Sequence, residues 1–272
     1  MIADASPAEK RVFQRDYISW SAISTYQQCP LRFYFRYVAG LEETFVSASL
    51  VLGGAIHKAI EFHFNQLLAG KPAPEQDLLL AKFWEEWHQR ADATEIRFGK
   101  NENLDGIART ADRMLAAFRE SESACPGGDI LSVEEELREQ LVPGLPEVLG
   151  RLDLLLNAGD TLTVIDFKTS RSRWSREQAV QAGDQLRLYS ELVRSLIPGK
   201  RMRLQFVVLT KGAKPAVDQV SVSVDSQRIQ RTKRLLQSVW QAVKAQHFFP
   251  SPSPMSCPAC PFRGPCSRWP GN

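Results

Sequence analysis

The chain lacks most of the features that place a protein at first sight. No stretch follows the pattern G-x-x-x-x-G-K-[ST], so it carries no P-loop motor. No apolar run reaches the roughly 20 residues of a membrane-spanning helix. The opening Met1-Ile2-Ala3-Asp4-Ala5-Ser6 has none of the basic-then-apolar pattern of an export signal, so a cytoplasmic location is the default expectation. There is no internal repeat and no low-complexity tract. Neither sign of charge is in excess: 34 Lys and Arg against 31 Asp and Glu leave +3, too little to announce a partner. Cysteines number five, an odd count in a chain without secretory signs, so no disulfide framework is expected.

What is present fits a folded chain of 272 residues, 43% of them hydrophobic, as one large domain or a core with an insertion. Its opening dozen residues are polar and expected to be loosely ordered. Ser19 to Pro30 reads as a capped short helix with Cys29 at its end. The aromatic run Leu31 to Val38 reads as the packed face of an amphipathic helix, with a nucleic-acid stacking surface as the other reading. Ile56, Ile60, Phe64 and Leu67 give a helix from Ala55 to Leu68, with Gly53 and Gly54 letting its start approach another backbone. His57 lies one residue off that stripe, where a structural histidine and a metal ligand are both open. Two more helical patterns, Gln76 to Arg90 and Asp105 to Arg119, read as a helical insertion over about 70–130.

The informative stretch is Thr163-Val164-Ile165-Asp166-Phe167-Lys168-Thr169. Its β-branched and aromatic residues make a strand, on which Asp166 and Lys168 share a face with Val164 while Ile165 and Phe167 point away. Gly150-Arg151-Leu152-Asp153-Leu154-Leu155-Leu156 is a second apolar run, and Asn157-Ala158-Gly159-Asp160 between the two signals a hairpin. With Ala158 and Gly159 as a two-residue loop, Asp153 falls opposite Val164. The carboxylates of Asp153 and Asp166 are then diagonal neighbours, roughly 7–8 Å apart at the backbone, placed to grip one divalent cation. A loop one residue longer would turn Asp153 to the other face. Leu131 to Leu141 stands between strand and helix, its place before the hairpin favouring strand.

Beyond the hairpin, Ser175 and Gln178 form a capping box that opens a helix to about Leu196, with Gln185 and Tyr189 on one face. Arg203 to Leu209 and Val217 to Val224 read as strands and Gln227 to His247 as a long helix. A Pro-rich tether, Pro250-Ser251-Pro252-Ser253-Pro254, leads to Cys257, Cys260 and Cys266 in the spacing C-x2-C-x5-C, which suits a loop wrapped around a metal.

Taken together these motifs resemble the PD-(D/E)XK nuclease superfamily, and within it the iron–sulfur, RecB-like branch that holds the AddB nuclease domains and the CRISPR-adaptation exonucleases. The G-x-x-x-H helix of that branch is matched by Gly53-Gly54-Ala55-Ile56-His57, its G-x-x-D strand by Gly150 to Asp153, its D-x-K strand by Asp166-Phe167-Lys168 and its Q-x-x-x-Y helix by Gln185 to Tyr189. Tyr26-Gln27-Gln28-Cys29-Pro30 matches its upstream Y-x-x-C-P cysteine, and Cys257, Cys260 and Cys266 its downstream three. The order holds from Ser19 to Cys266.

The resemblance implies an α/β fold, a restriction-endonuclease-like mixed sheet flanked by helices. It also implies a [4Fe–4S] cluster on Cys29, Cys257, Cys260 and Cys266 that joins residues 19–38 to residues 250–272. Four thiolates would also hold zinc. It further implies a deoxyribonuclease in which His57, Asp153, Asp166 and the Phe167 carbonyl hold Mg²⁺ or Mn²⁺, Lys168 serves the chemistry, and Gln185 and Tyr189 position it or the DNA. Arg171, Arg173, Trp174 and Arg176 are the candidate DNA contacts. The expected substrate is DNA, single-stranded or with a free end, in repair, recombination or CRISPR adaptation, with a helicase or an adaptation protein as partner and no membrane. A non-catalytic or redox-sensing DNA-binding subunit is the alternative.

Overall fold

The computed structural model describes Phe13 and residues 15–270, so the opening dozen residues lie outside the described residues. A mixed sheet is held between two helical layers, the architecture expected of a restriction-endonuclease-like fold. In chain order the elements are β1 (Tyr17–Ser19), α1 (Trp20–Gln28), α2 (Pro30–Phe33), a π-helical turn (Tyr34–Val38), β2 (Val46–Ser47), α3 (Ala48–Leu68), α4 (Gln76–Ala93), β3 (Ile96–Arg97) and α5 (Leu104–Arg119). A 3₁₀ turn (Glu122–Ala124) follows, then β4 (Asp129–Glu139), β5 (Glu147–Ala158), β6 (Thr161–Ser170), α6 (Arg176–Ala182), α7 (Asp184–Leu196), β7 (Arg201–Thr210), β8 (Val217–Val222), α8 (Ser226–Lys244) and α9 (Arg263–Ser267). Among the described residues no helix is long and apolar enough to cross a membrane.

The central hairpin forms, with a different loop. Ala158 pairs with Thr161, so Gly159 and Asp160 make the turn, and Gly159 takes the positive φ of +60° that such a turn requires. The register moves by two residues from the expected one and parity is kept: Leu154 meets Ile165, and its continuation brings Asp153 level with Asp166 rather than Val164. β6 runs parallel to β7, and α6 and α7 make the crossover between them.

The two faces of the sheet bury different sets. Leu162, Val164, Leu204, Phe206 and Val208 pack under α1, α7 and α8, whereas Leu154, Leu156, Ile165, Phe167, Val207 and Leu209 pack under α3, α4 and α5. Residues 70–130 therefore supply much of one helical layer.

Local departures from the expected elements have packing causes. α3 begins at Ala48, capped by Ser47, and Gly53 and Gly54 lie inside it. A Cβ on Gly53 would stand 3.1 Å from Thr169 Oγ1, so the close approach is to the side of β6 and not to the helix start. The helix expected to run from Ser175 to Leu196 is broken at Gly183, where a Cβ would lie 2.6 Å from Val222 Cγ1 on β8. The Ser175–Gln178 capping box is present. Of the aromatic run, Phe33 is fully buried and packs on the rings of Tyr26, Tyr37 and Phe248, which makes this segment mainly core.

Candidate active site

β5 pairs along one edge with β4 and divides its other edge between two strands. Val148 pairs with both Glu139 of β4 and Ile18 of β1, and Leu154 with both Val133 of β4 and Ile165 of β6, so β1 and β6 share the edge opposite β4. Residues 150–153 lie in the gap between them. Here the buried set of β5 also changes parity: Val148 and Leu152 enter the same core as Leu155. Across the ribbon, Glu134 has a φ of +52°, a left-handed conformation costly for a residue with a Cβ. The sheet is thus opened and twisted at one place, and the polar groups collect there.

Asp153 fills the gap with its side chain. Where the β5–β6 ladder stops, the Phe167 amide donates to Asp153 Oδ2 at 2.7 Å. The same oxygen lies 3.4 Å from His57 Nδ1, on the face of α3 turned to the sheet. The Phe167 backbone acts weakly on His57 as well, favouring its charged form. Ligand atoms of His57, Glu134 and Asp153 all lie within 4.8 Å of one another. Glu134 is an acid that the sequence motifs do not mark; its place opposite Asp153 follows from the β4–β5 register, which no local spacing fixes. Arg151, also unanticipated, pairs with Glu134 at 3.2 Å.

Asp166 and Lys168 lie on the α7 side of β6, and Lys168 also borders the cleft of His57, Glu134 and Asp153. Asp166 is 3% exposed at its side chain, and its Oδ2 lies 2.6 Å from Lys168 Nζ. The ammonium donates on to Gln185 Oε1 at 3.2 Å, and Gln185 Nε2 donates to Tyr189 Oη at 2.9 Å. Gly150 allows this arrangement, because a Cβ there would stand 2.8 Å from Tyr189 Cδ1 and 2.5 Å from Leu192 Cδ1. The glycine of the G-x-x-D strand is thus a seat for the tyrosine of the Q-x-x-x-Y helix.

Burial sets the protonation states. It lowers the pKa of His57, against the opposing pull of Asp166, and favours the neutral ring that ligates metals. Burial, reinforced by the Asp166 charge, pushes Asp153 up to about 8. Burial together with Asp153 and Glu61 pushes Glu134 up to about 7. Burial works against the charge on Lys168, yet the carboxylates of Asp166 and Asp153 outweigh it and its pKa is raised. Tyr189 is pushed up to about 12, chiefly by burial.

The remaining expected residues are scattered around this centre. Phe167 packs its ring on Phe64 and Phe118, leaving only its backbone at the site. Arg171 lines a small cavity with Lys211, whose ammonium donates to Ser49 O and Oγ at the start of α3. Arg173 pairs with Asp218, Trp174 packs edge-on against Phe206, and Arg176 opens α6. Cys29, Cys257, Cys260 and Cys266 line one separate cavity of about 270 Å³, and Cys125 is not among them. None of the five is in a disulfide. Cys29 Sγ accepts from the Arg32 amide at 3.4 Å and Cys257 Sγ from the Ser253 amide at 3.2 Å.

A mixed sheet carrying D-x-K on one strand and G-x-x-D on its neighbour can be set against known proteins. No curated protein matches the chain. Among solved structures, one from Eubacterium rectale, of a protein that carries only a provisional exonuclease name, superposes with a TM-score of 0.60 at 12% identity, over 93% of this chain and 87% of its own. That likeness shows the fold. A second, of the protein SSO0001, reaches a TM-score of 0.35 at 15% identity over 89% and 92% of the two chains, too loose to bear on the fold. The family model of the PD-(D/E)XK nuclease superfamily matches residues 17–267, nearly all that is described here, and the chain belongs to that superfamily.

Proposed function

We propose that the chain is a divalent-metal-dependent deoxyribonuclease acting on single-stranded DNA or free DNA ends. The observation that carries this reading is the placement of Lys168 between Asp166 and Gln185, beside a cluster of one imidazole and two carboxylates. The donor set fits a hard cation: oxygen and nitrogen ligands lie within reach of one another, and the pKa values of the two largely buried acids are raised for want of a compensating charge. His57, Asp153 and Glu134 would hold Mg²⁺ or Mn²⁺, with Asp166 and the Phe167 carbonyl completing the set. Such an ion supplies Lewis-acid polarisation of the scissile phosphate.

The chain's own residues supply positioning and charge. Lys168 keeps its proton, held charged chiefly by the Asp166 carboxylate, and offsets the negative charge that develops on the phosphate or orients the attacking water. Gln185 accepts from that ammonium and fixes its direction, and Tyr189 fixes which end of the Gln185 amide faces it. Arg171, Arg173, Trp174 and Arg176 are proposed as backbone and base contacts. Asp218 and Phe206 already engage Arg173 and Trp174, which leaves Arg171 and Arg176, and of these Arg171 lies at the cavity shared with Lys211.

A [4Fe–4S] cluster is proposed on the four cysteines of the common cavity. Thiols from both ends of the chain, two of them accepting backbone amides, are the ligand and outer-shell chemistry such a cluster uses. Residues 19–38 and 250–272 then form one cluster-binding region of a single nuclease domain. The setting is DNA repair, recombination or CRISPR adaptation, with a helicase or adaptation protein as partner, and genomic neighbours distinguish them. Replacing Lys168→Ala should abolish cleavage of labelled single-stranded DNA in Mn²⁺ while DNA affinity measured in chelator stays near that of the parent. Undiminished cleavage by that variant overturns the assignment.

A further inference from the structure

Lys168 and Arg151 each line two clefts. One, of about 690 Å³, holds His57, Glu134 and Asp153 between α3 and the sheet. The other, of about 680 Å³, opens on the α7 side, and its walls are of a different kind. Tyr17 of β1, Trp20 at the first position of α1 and Tyr37 of the π-helical turn contribute half-buried rings to the cleft; Trp20 and Tyr37 also pack on the core, and Arg138 lies 4.7 Å from the Tyr17 centroid. Arg15 lies over two of these rings, 5.6 Å from the Tyr17 centroid and 5.1 Å from that of Tyr37, and has no carboxylate partner among the described residues. Glu136, the acid of this cleft, is already paired with Arg138 at 3.1 Å. The two clefts thus meet at Lys168 and Arg151, ionic on one side of the lysine and aromatic on the other.

We infer that the aromatic side is a stacking subsite for unpaired nucleotides next to the scissile phosphate. The inference rests on the nuclease reading for its direction across Lys168, and on the rings for its substrate. Bases offer flat faces only when they are out of a duplex, and aromatic rings or a guanidinium plane stack on any of them without reading sequence. Arg15, which also donates to Tyr17 Oη at 3.4 Å, keeps its cation at this wall and supplies a contact for the phosphate that joins two stacked nucleotides. A duplex keeps its bases inside and gains nothing from Tyr17, Trp20 or Tyr37. The subsite thus selects single strands or frayed ends by chemistry, leaving the metal side to the backbone.

The test is photocrosslinking of the full-length parent protein, in chelator, with a short oligothymidylate carrying 5-iododeoxyuridine at single positions, followed by peptide mapping. Crosslinks to the peptides of Tyr17, Trp20 or Tyr37 are expected. Crosslinks confined to α3 and α4, or no binding of the strand, overturn the subsite. A second measurement uses Tyr17→Leu with Trp20→Leu, checked for parental melting: single-strand affinity should fall about tenfold or more and duplex affinity far less. Equal losses on both substrates, or none, overturn it as well. Because neither measurement involves cleavage, a subsite failure is separable from a failure of the nuclease reading, which the Lys168→Ala assay decides.

Discussion

At Asp153 the folded protein retains a proton that the unfolded chain would release. Folded pKa values of about 8 for Asp153 and about 7 for Glu134 lie above the ordinary carboxylate range. The stability these groups contribute is therefore complete in acid and lost as pH rises through those values. In chelator, the melting temperature should decline between about pH 5 and pH 8, Asp153→Asn should flatten much of the decline, and Mg²⁺ should restore stability at the upper end. A melting temperature that climbs over that interval, or the same slope in the variant, speaks against a charge-starved carboxylate pair. The Lys168 relay gives a second expectation. Tyr189→Phe removes one hydrogen bond to Gln185, a change of about 1 kcal/mol, so kcat should drop roughly fivefold with KM little changed. Most of these side chains were legible, because D-x-K and Q-x-x-x-Y are local spacings on a strand and a helix. Glu134 was not: its place depends on a left-handed residue in a strand that composition left ambiguous.

At the scale of the element, β5 and α7 are fitted to each other through the absence of a side chain at Gly150. Gly150→Ala would drive a methyl group into the rings and branches of Tyr189 and Leu192. It should cost about 1–3 kcal/mol in urea denaturation and lower kcat as well, since Tyr189 carries Gln185 with it. Retained activity beside a large stability loss would separate the seat from the relay. Elements with strong period or caps were readable, among them α4, α5, the capping box of α6 and the hairpin. What escaped depended on distant partners. β1 is three residues long and is a strand only because β5 lies beside it. Gly53 looks like a helix boundary until Thr169 supplies a reason for glycine within a helix. The break at Gly183 likewise answers to Val222, thirty-nine positions away in a strand whose approach no local pattern announces.

For the whole molecule, the segments that carry the upstream and downstream cysteines also meet through direct hydrogen bonds. Tyr26 Oη donates to His247 O at 2.8 Å, the Leu31 amide to Phe249 O at 3.0 Å and Thr44 Oγ1 to Pro261 O at 3.0 Å. A cluster across Cys29 and the C-terminal cysteines would close a very long loop, which is worth on the order of 2–4 kcal/mol for cross-links of that kind. Cys29→Ser should lower the melting temperature and remove visible charge-transfer absorbance from anaerobically purified protein, whereas Cys125→Ser, at an exposed position outside the cavity, should leave both as they were. The divided edge of β5 bears on how this molecule opens. β1 is held to the sheet by three paired residues, while β7 is flanked along most of its length. Local opening takes the least protected unit first, so the Tyr17–Ser19 amides should exchange with deuterium long before those of Leu204–Leu209. Warming would then detach the aromatic wall while the carboxylates and Lys168 remain in place, so that the proposed selectivity for single strands should melt out before the capacity to cut.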